Sequence, residues 1–273
     1  MPPERRSIPI PIGVFDSGVG GLSVLREVRR ALPAAELLYV ADSGNAPYGE
    51  REPAFITDRV LTIAEFFRAH DVAAIVVACN TASAVALPAL RAQFTRPVVA
   101  IEPAIKPAVQ RTRSGVVGVL ATSRTVASAG VARLVHEHGQ SVRVLLQACP
   151  GLVELVESGE LSGVQAEALV ERFVRPLLNQ GADTLVLGCT HYPFLRALIE
   201  RVAGPNVEVI DPAPAVAREL VRRLEAGATP DARESSEGSE SSECFWTSGP
   251  LAHARMLIPA LWGRAAQVLA LPC

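Results

Sequence analysis

Residues 73–83 read Ala73-Ala74-Ile75-Val76-Val77-Ala78-Cys79-Asn80-Thr81-Ala82-Ser83, an apolar run that ends on a cysteine and passes into small polar residues. A run of this length, apolar at every position rather than at every second one, predicts a strand buried on both faces, and such strands belong to parallel sheets covered by helices on each side. The same design recurs 110 residues later, where Thr184-Leu185-Val186-Leu187-Gly188 leads into Cys189-Thr190-His191. Two thiols delivered in matching ways point to one small substrate held between them.

Outward from residue 73, the chain alternates strand and helix. Ile10 to Phe15 is β-rich and ends in the turn Asp16-Ser17-Gly18-Val19-Gly20-Gly21, after which Leu22, Leu25, Val28 and Leu32 recur at helical spacing. Glu36 to Ala41 predicts a strand, residues 42–49 a polar loop and Pro53 to Ala69 a helix. Val98 to Ile101 predicts a fourth strand. Further buried strands are expected at Val116–Leu120, Val142–Gln147, Thr184–Leu187 and Val207–Ile210, with an edge strand at Cys244–Thr247 and a short helix over Ala252–Leu261. Alternation of this kind specifies a doubly wound α/β fold, in which ligands sit beyond the carboxyl ends of the strands. Asp16, Asp42, Cys79, Thr122, Cys149 and Cys189 all fall at or just past predicted strand ends, on one rim. Residues 226–243, with ESSEGSESSE at their centre, offer almost nothing to bury and read as a flexible surface excursion.

Composition narrows the class. The 273 residues are 49% apolar, enough for one large core or two modest ones, and the net charge of −2 supplies no basic stripe for a nucleic-acid backbone. No apolar run reaches the roughly 18 residues that would span a bilayer, and the first residues lack a secretory apolar segment, so a cytoplasmic protein is expected. Five cysteines, an odd number, argue for free thiols rather than a disulfide framework.

Several residues carry candidate chemistry. A thiol where a strand passes into a helix gains backbone N–H groups and the helix dipole, both of which favour the thiolate, and this applies to Cys79 and Cys189. The alternative for any buried cysteine is simple packing, and Cys149, which precedes Pro150-Gly151 without polar neighbours, is assigned to it. Cys244 and Cys273 receive no role. The turn at 16–21 invites a dinucleotide reading, yet Ser23 replaces the last glycine of that pattern; its N–H groups suit a carboxylate equally. Asp16 reads either as a functional acid or as an N-cap. His191 has no C-x-x-C pair or histidine-rich partner segment, so a metal is not expected; a proton relay or electrostatic partner for Cys189 is.

GVFDSGVGGLSVLREV, Asn45-Ala46-Pro47-Tyr48-Gly49, VVACNTASA and LGCTHYPFL, in this order over residues 12–224, closely resemble bacterial glutamate racemases. The resemblance implies two doubly wound, mostly parallel-sheet α/β domains with the active site between them: residues 1–99 plus 211–273 (226–243 the excursion), and residues 100–210. It also implies a cofactor-independent enzyme that interconverts L- and D-glutamate for peptidoglycan, with Cys79 and Cys189 as the acid/base thiols. Asp16 would assist Cys79 and His191 would assist Cys189, with Glu157 near His191. Ser17, Tyr48, Gly49, Asn80, Thr81 and Thr190 would hold the substrate together with Asp16 and His191. A homodimer is the implied assembly, with no nucleic-acid or membrane partner. An aspartate or hydantoin substrate and a non-catalytic acid-binding protein are the competing readings.

The chain departs from the family pattern at three places. Asp42-Ser43-Gly44 replaces the usual acid-threonine or acid-asparagine opening of its loop. The 226–243 excursion is longer than expected, and Gly249-Pro250-Leu251 lacks the acid that usually follows the threonine-glycine turn.

Chemically, racemisation removes a proton from one face of Cα and returns another to the opposite face. Two groups of similar type are required, one per face, and the carbanion between them needs dense hydrogen bonding in a dry site.

Overall fold

A computed structural model describes residues 11–139, 141–227 and 242–272; most of the predicted 226–243 excursion, and Cys273, lie outside the described residues. The first half runs β1 (Ile12–Asp16), α1 (Leu22–Ala31), β2 (Leu37–Ala41), α2 (Pro53–Ala69), β3 (Ala74–Val77), α3 (Asn80–Gln93) and β4 (Val98–Ala100). It continues through α4 (Ile105–Arg111), β5 (Val116–Ala121), α5 (Ser123–Val126), α6 (Ala129–His138), β6 (Arg143–Ala148), α7 (Leu152–Ser158), α8 (Val164–Asn179), β7 (Thr184–Gly188), α9 (Arg196–Ala203) and β8 (Glu208–Ile210). The chain closes with α10 (Ala213–Gly227), β9 (Glu243–Thr247), α11 (Leu251–Trp262) and β10 (Val268–Ala270).

The strands form two sheets, one of six in the order β10-β9-β2-β1-β3-β4 and one of four in the order β6-β5-β7-β8. Every pairing is parallel. The central strands β1, β2, β3 and β7 are buried at every residue, as continuous apolar runs covered on both faces require. In α2 a proline at the first turn fits the helix start, and Ile56, Val60, Ile63, Ala64 and Phe67 supply the buried stripe at helical spacing.

One apolar cluster draws residues from both sheets and the helices on them, including Val14 and Tyr39 of the first sheet with Leu25 of α1, and Leu187 of the second with Leu152 of α7. α10 packs on α1. The two halves therefore share a core on one side and leave their strand ends facing the same gap. Among the described residues no helix is long and apolar enough to cross a membrane.

Two expectations need correction. The strand at Glu243–Thr247 is internal, not an edge: it pairs with β2 on one side and β10 on the other. β6 is an edge strand with no fully buried residue, because only β5 pairs with it; the expected buried strand is half exposed.

Candidate active site

Asp16, Cys79, Thr122 and Cys189 stand at the carboxyl ends of β1, β3, β5 and β7, and parallel pairing puts the first two on the rim of one sheet and the last two on the rim of the other. Cys79 and Cys189, one from each sheet, line a single cavity of about 10 Å³ together with Ser17, Tyr48, Gly49, Asn80, Thr81, Thr190 and His191. That is room for roughly one water. Pro47, Thr122 and Val153 complete the lining.

The two thiols have different surroundings. Cys79 caps α3, where its Sγ accepts from the Ala82 N–H at 3.4 Å and donates to Ser17 Oγ at 3.5 Å. Burial, reinforced by the negative charge of Asp16, pushes the Cys79 thiol up to about 12 despite those bonds. The expected thiolate-favouring effect of the helix start is present but outweighed by desolvation. Cys189 does not open an α-helix; Thr190 and His191 form a turn before a short 3-10 segment at Tyr192–Leu195. Its neighbour is a ring: His191 Nδ1 lies 3.7 Å from the sulfur.

His191 is 2% exposed, and its Nε2 lies 2.7 Å from Glu157 Oε1. Burial alone would lower its pKa, but the hydrogen bonds and charges of Cys189 and Glu157 hold it well above the usual histidine range. The ring is wedged between a sulfur and a carboxyl group, one nitrogen facing each, so that in its protonated form it donates to both.

Asp16 is fully buried. Its Oδ2 accepts from the Gly21 N–H at 2.9 Å and its Oδ1 from the Thr190 hydroxyl at 3.3 Å. Burial raises its pKa, opposed by the charge of His191 and by the Gly21 bond. The glycine turn after it binds no dinucleotide phosphate in this arrangement: the Val19 N–H donates to Glu157 Oε1 at 2.7 Å. A Cβ on Gly18 would fall on the Glu157 carboxylate, and one on Gly20 on the His191 ring. Those two glycines are needed because side chains from α7 and the turn after β7 come in over them.

Tyr48 reaches the cavity, but its hydroxyl donates to Asp42 Oδ2 at 2.6 Å; it is not free for an anionic ligand as the loop composition suggested. Arg59 grips the same buried carboxylate through both oxygens, at 3.0 and 2.9 Å, and Asn45 Nδ2 adds a bond of 3.0 Å. Asp42 is therefore the anchor of the 42–49 loop. Thr81 Oγ1 lies 2.9 Å from Thr122 Oγ1 and 3.3 Å from Thr125 Oγ1, so three hydroxyls cluster at the cavity edge. The side-chain amide of Asn80 is buried and has no hydrogen-bond partner among the described residues; the residue borders this cavity and a second one of about 250 Å³. Cys149 is buried with its Sγ donating to the Gln147 carbonyl at 3.3 Å.

Thr122, placed on the rim from the sequence, does line the cavity; sequence reasoning missed Thr125, which joins its hydroxyl cluster, Val153 as a wall, and Ser43, whose hydroxyl donates to Glu157 Oε2 at 3.3 Å. A serine or threonine just past a strand reads as a helix cap, and Thr122 does cap α5; only the tertiary fold turns it toward Thr81. Among the described residues no group of three His, Cys, Asp or Glu side chains is arranged to hold a metal ion.

The family model for Asp/Glu/hydantoin racemases matches residues 12–220. Glutamate racemase of Methylococcus capsulatus (strain Bath) is 51% identical over 262 residues, covering 96% of this chain and 95% of that protein. The crystal structure of Escherichia coli glutamate racemase with L-glutamate and the activator UDP-MurNAc-Ala is similar at a TM-score of 0.85 and 36% identity, over 97% of this chain and 100% of that one. Isoform RacE1 of Bacillus anthracis matches at a TM-score of 0.85 and 32% identity, over 96% and 97% of the two chains.

Proposed function

The chain belongs to the Asp/Glu/hydantoin racemase family, and from that premise we propose that it interconverts L- and D-glutamate through two cysteines, supplying D-glutamate for peptidoglycan. The observation that carries this reading is that Cys79 and Cys189, which follow strands of different sheets, line one small cavity. One thiolate removes the α-proton while the thiol on the opposite face returns one, so atoms balance without a cofactor. The pair works in either direction by exchanging roles.

The arms manage their protons differently. At Cys79, the buried carboxyl of Asp16 stands by to take up or release the thiol proton, and Ser17 and the Ala82 N–H hold the sulfur. At Cys189, the His191 imidazolium stabilises the thiolate electrostatically and Glu157 holds the ring. Asn80, whose amide has no partner among the described residues, is the side chain best prepared to bind an amino acid's charged groups. Thr81, Thr190, Ser17 and the backbone around Tyr48-Gly49 supply further donors to the carboxylates. Charge on the carbanion is then met by fixed dipoles in a dry site.

A cavity of about 10 Å³ cannot admit glutamate, so the two sheets part to take it in and close again for the reaction. We assign one domain to residues 1–99 with 211–273 and the other to 100–210, and take the working form to be a cytoplasmic homodimer that engages neither nucleic acid nor membrane.

The test is cofactor-free circular dichroism of each glutamate enantiomer with the protein. Both signals should decay to zero. Persistence of either signal at high enzyme concentration, with aspartate or a hydantoin racemised instead, would displace glutamate as substrate.

A further inference from the structure

Glu157 belongs to α7, beside the four-stranded sheet, yet its carboxylate is held from the other half of the molecule. Oε1 accepts from the Val19 N–H at 2.7 Å and from His191 Nε2 at 2.7 Å, while Oε2 accepts from the Ser43 hydroxyl at 3.3 Å. The main-chain carbonyl of the same residue takes a 2.7 Å hydrogen bond from His253 Nε2. Ser43 follows β2 and His253 lies on α11, so both come from the six-stranded half. Packing does not fix this side chain: a cavity of about 380 Å³ opens on Glu157 between Ser43 and His253, and the carboxylate side chain keeps 18% of its surface exposed. With one flank unpacked, hydrogen bonds decide where the carboxylate sits.

Resting on the glutamate reading, we propose that Ser43 and His253 are positioning residues for the Cys189 arm, which clamp Glu157 and through it fix the His191 ring against the sulfur. Neither touches the reacting cavity. Ser43 holds the carboxylate from its free oxygen, and His253 holds the end of α7 from below. A histidine Nε2–H facing a carbonyl is a donor that glutamine can imitate and leucine cannot. Since the clamp spans the two halves, the Cys189 arm is complete only when they are closed on each other, whereas Cys79 takes its partners Ser17, Asp16 and Ala82 from its own sheet.

The experiment compares the full-length protein with Ser43→Ala, His253→Leu, their combination and His253→Gln. Steady-state racemisation of both glutamate enantiomers is measured alongside the rates at which iodoacetamide modifies Cys79 and Cys189, resolved peptide by peptide in a mass spectrometer. The combined variant should lose about tenfold to a hundredfold in kcat with little change in KM, the cost of a misplaced reacting group. Modification of Cys189 should change several-fold while that of Cys79 stays as in the parent, and His253→Gln should retain the parental behaviour. A general loosening of the fold would alter both cysteines together, and that result overturns the proposal. So does unchanged kcat in the combined variant, or a glutamine variant as impaired as the leucine one. If the parent protein racemises neither enantiomer, the glutamate reading fails on its own, and the contrast between the two cysteines still decides the clamp.

Discussion

The hydroxyl of Thr190 donates to Oδ1 of Asp16 at 3.3 Å, so the residue following one cysteine is bonded to the carboxylate beside the other. The two proton-handling arms are thereby joined by one direct hydrogen bond between their neighbouring residues.

Replacing Cys79 or Cys189 by serine should lower racemisation by about 10² to 10⁴, the usual contribution of a positioned acid or base. The two enantiomers are equal in free energy, so kcat/KM must fall equally in both directions whichever cysteine is changed. The asymmetry should surface instead in α-proton exchange with D₂O, followed by NMR: each variant should keep exchange for one enantiomer only. A variant racemising at the parental rate would sink the two-cysteine scheme.

Cys79 gives stability a pH dependence whose sign follows from its raised pKa. The unfolded thiol ionises near 9 and the folded one at about 12, so between those values the folded state holds the proton more tightly than the unfolded state. The stabilisation from this group is complete below about 9 and drains away as pH rises toward 12. The thermal midpoint should therefore decline over that window, and Cys79→Ser should flatten the decline. Equal slopes for the two proteins would refute the assignment.

Gly20→Ala should cost both activity and stability. The backbone at Gly20 does not lie in the left-handed region, so the added methyl group meets no intrinsic strain; it meets the His191 ring. Displacing that ring should cut kcat by about a hundredfold, while overpacking the buried site should cost about 1–3 kcal/mol of stability, read from urea unfolding. Full activity in this variant would show that the ring can shift without consequence.

Arg59→Met leaves the fully buried Asp42 carboxylate with only Tyr48 and Asn45 as side-chain partners. Breaking such a pair by removing one member should cost about 3 kcal/mol, read as a lower urea midpoint at constant slope. A shift below about 0.5 kcal/mol would mean that water replaces the guanidinium at little cost.

The sheet was legible in the sequence wherever a strand is covered on both faces. Ala74–Val77 and Thr184–Gly188 are apolar at nearly every position because burial leaves no choice. β10 escaped notice because it is three residues long with two of them exposed, and without it β9 seemed to be an edge. The cysteines were legible because each thiol is followed by polar residues at the end of an apolar run. What reaches the thiols was harder to see. Glu157 lies on an amphipathic helix like any surface glutamate, and nothing local to it records that Val19, Ser43 and His191 converge on its carboxylate. The glycines of the first turn suggested phosphate because spacing alone cannot say what approaches a bare backbone; here it is the Glu157 carboxylate and the His191 imidazole, from α7 and the turn after β7.

The order β10-β9-β2-β1-β3-β4 has a temporal side. β9 pairs with β2 across a separation of about 200 residues, Leu37 lying opposite Glu243, and the whole four-stranded sheet is encoded in between. On the ribosome the inserted sheet can fold while the flank of β2 still waits for its neighbour. The earlier half thus emerges with an exposed apolar strand until the last thirty or so residues arrive, a period in which a chaperone or a wrong partner can claim that edge. Truncation near residue 240 should consequently yield aggregation-prone protein, although both cysteines and most of their partners would be present.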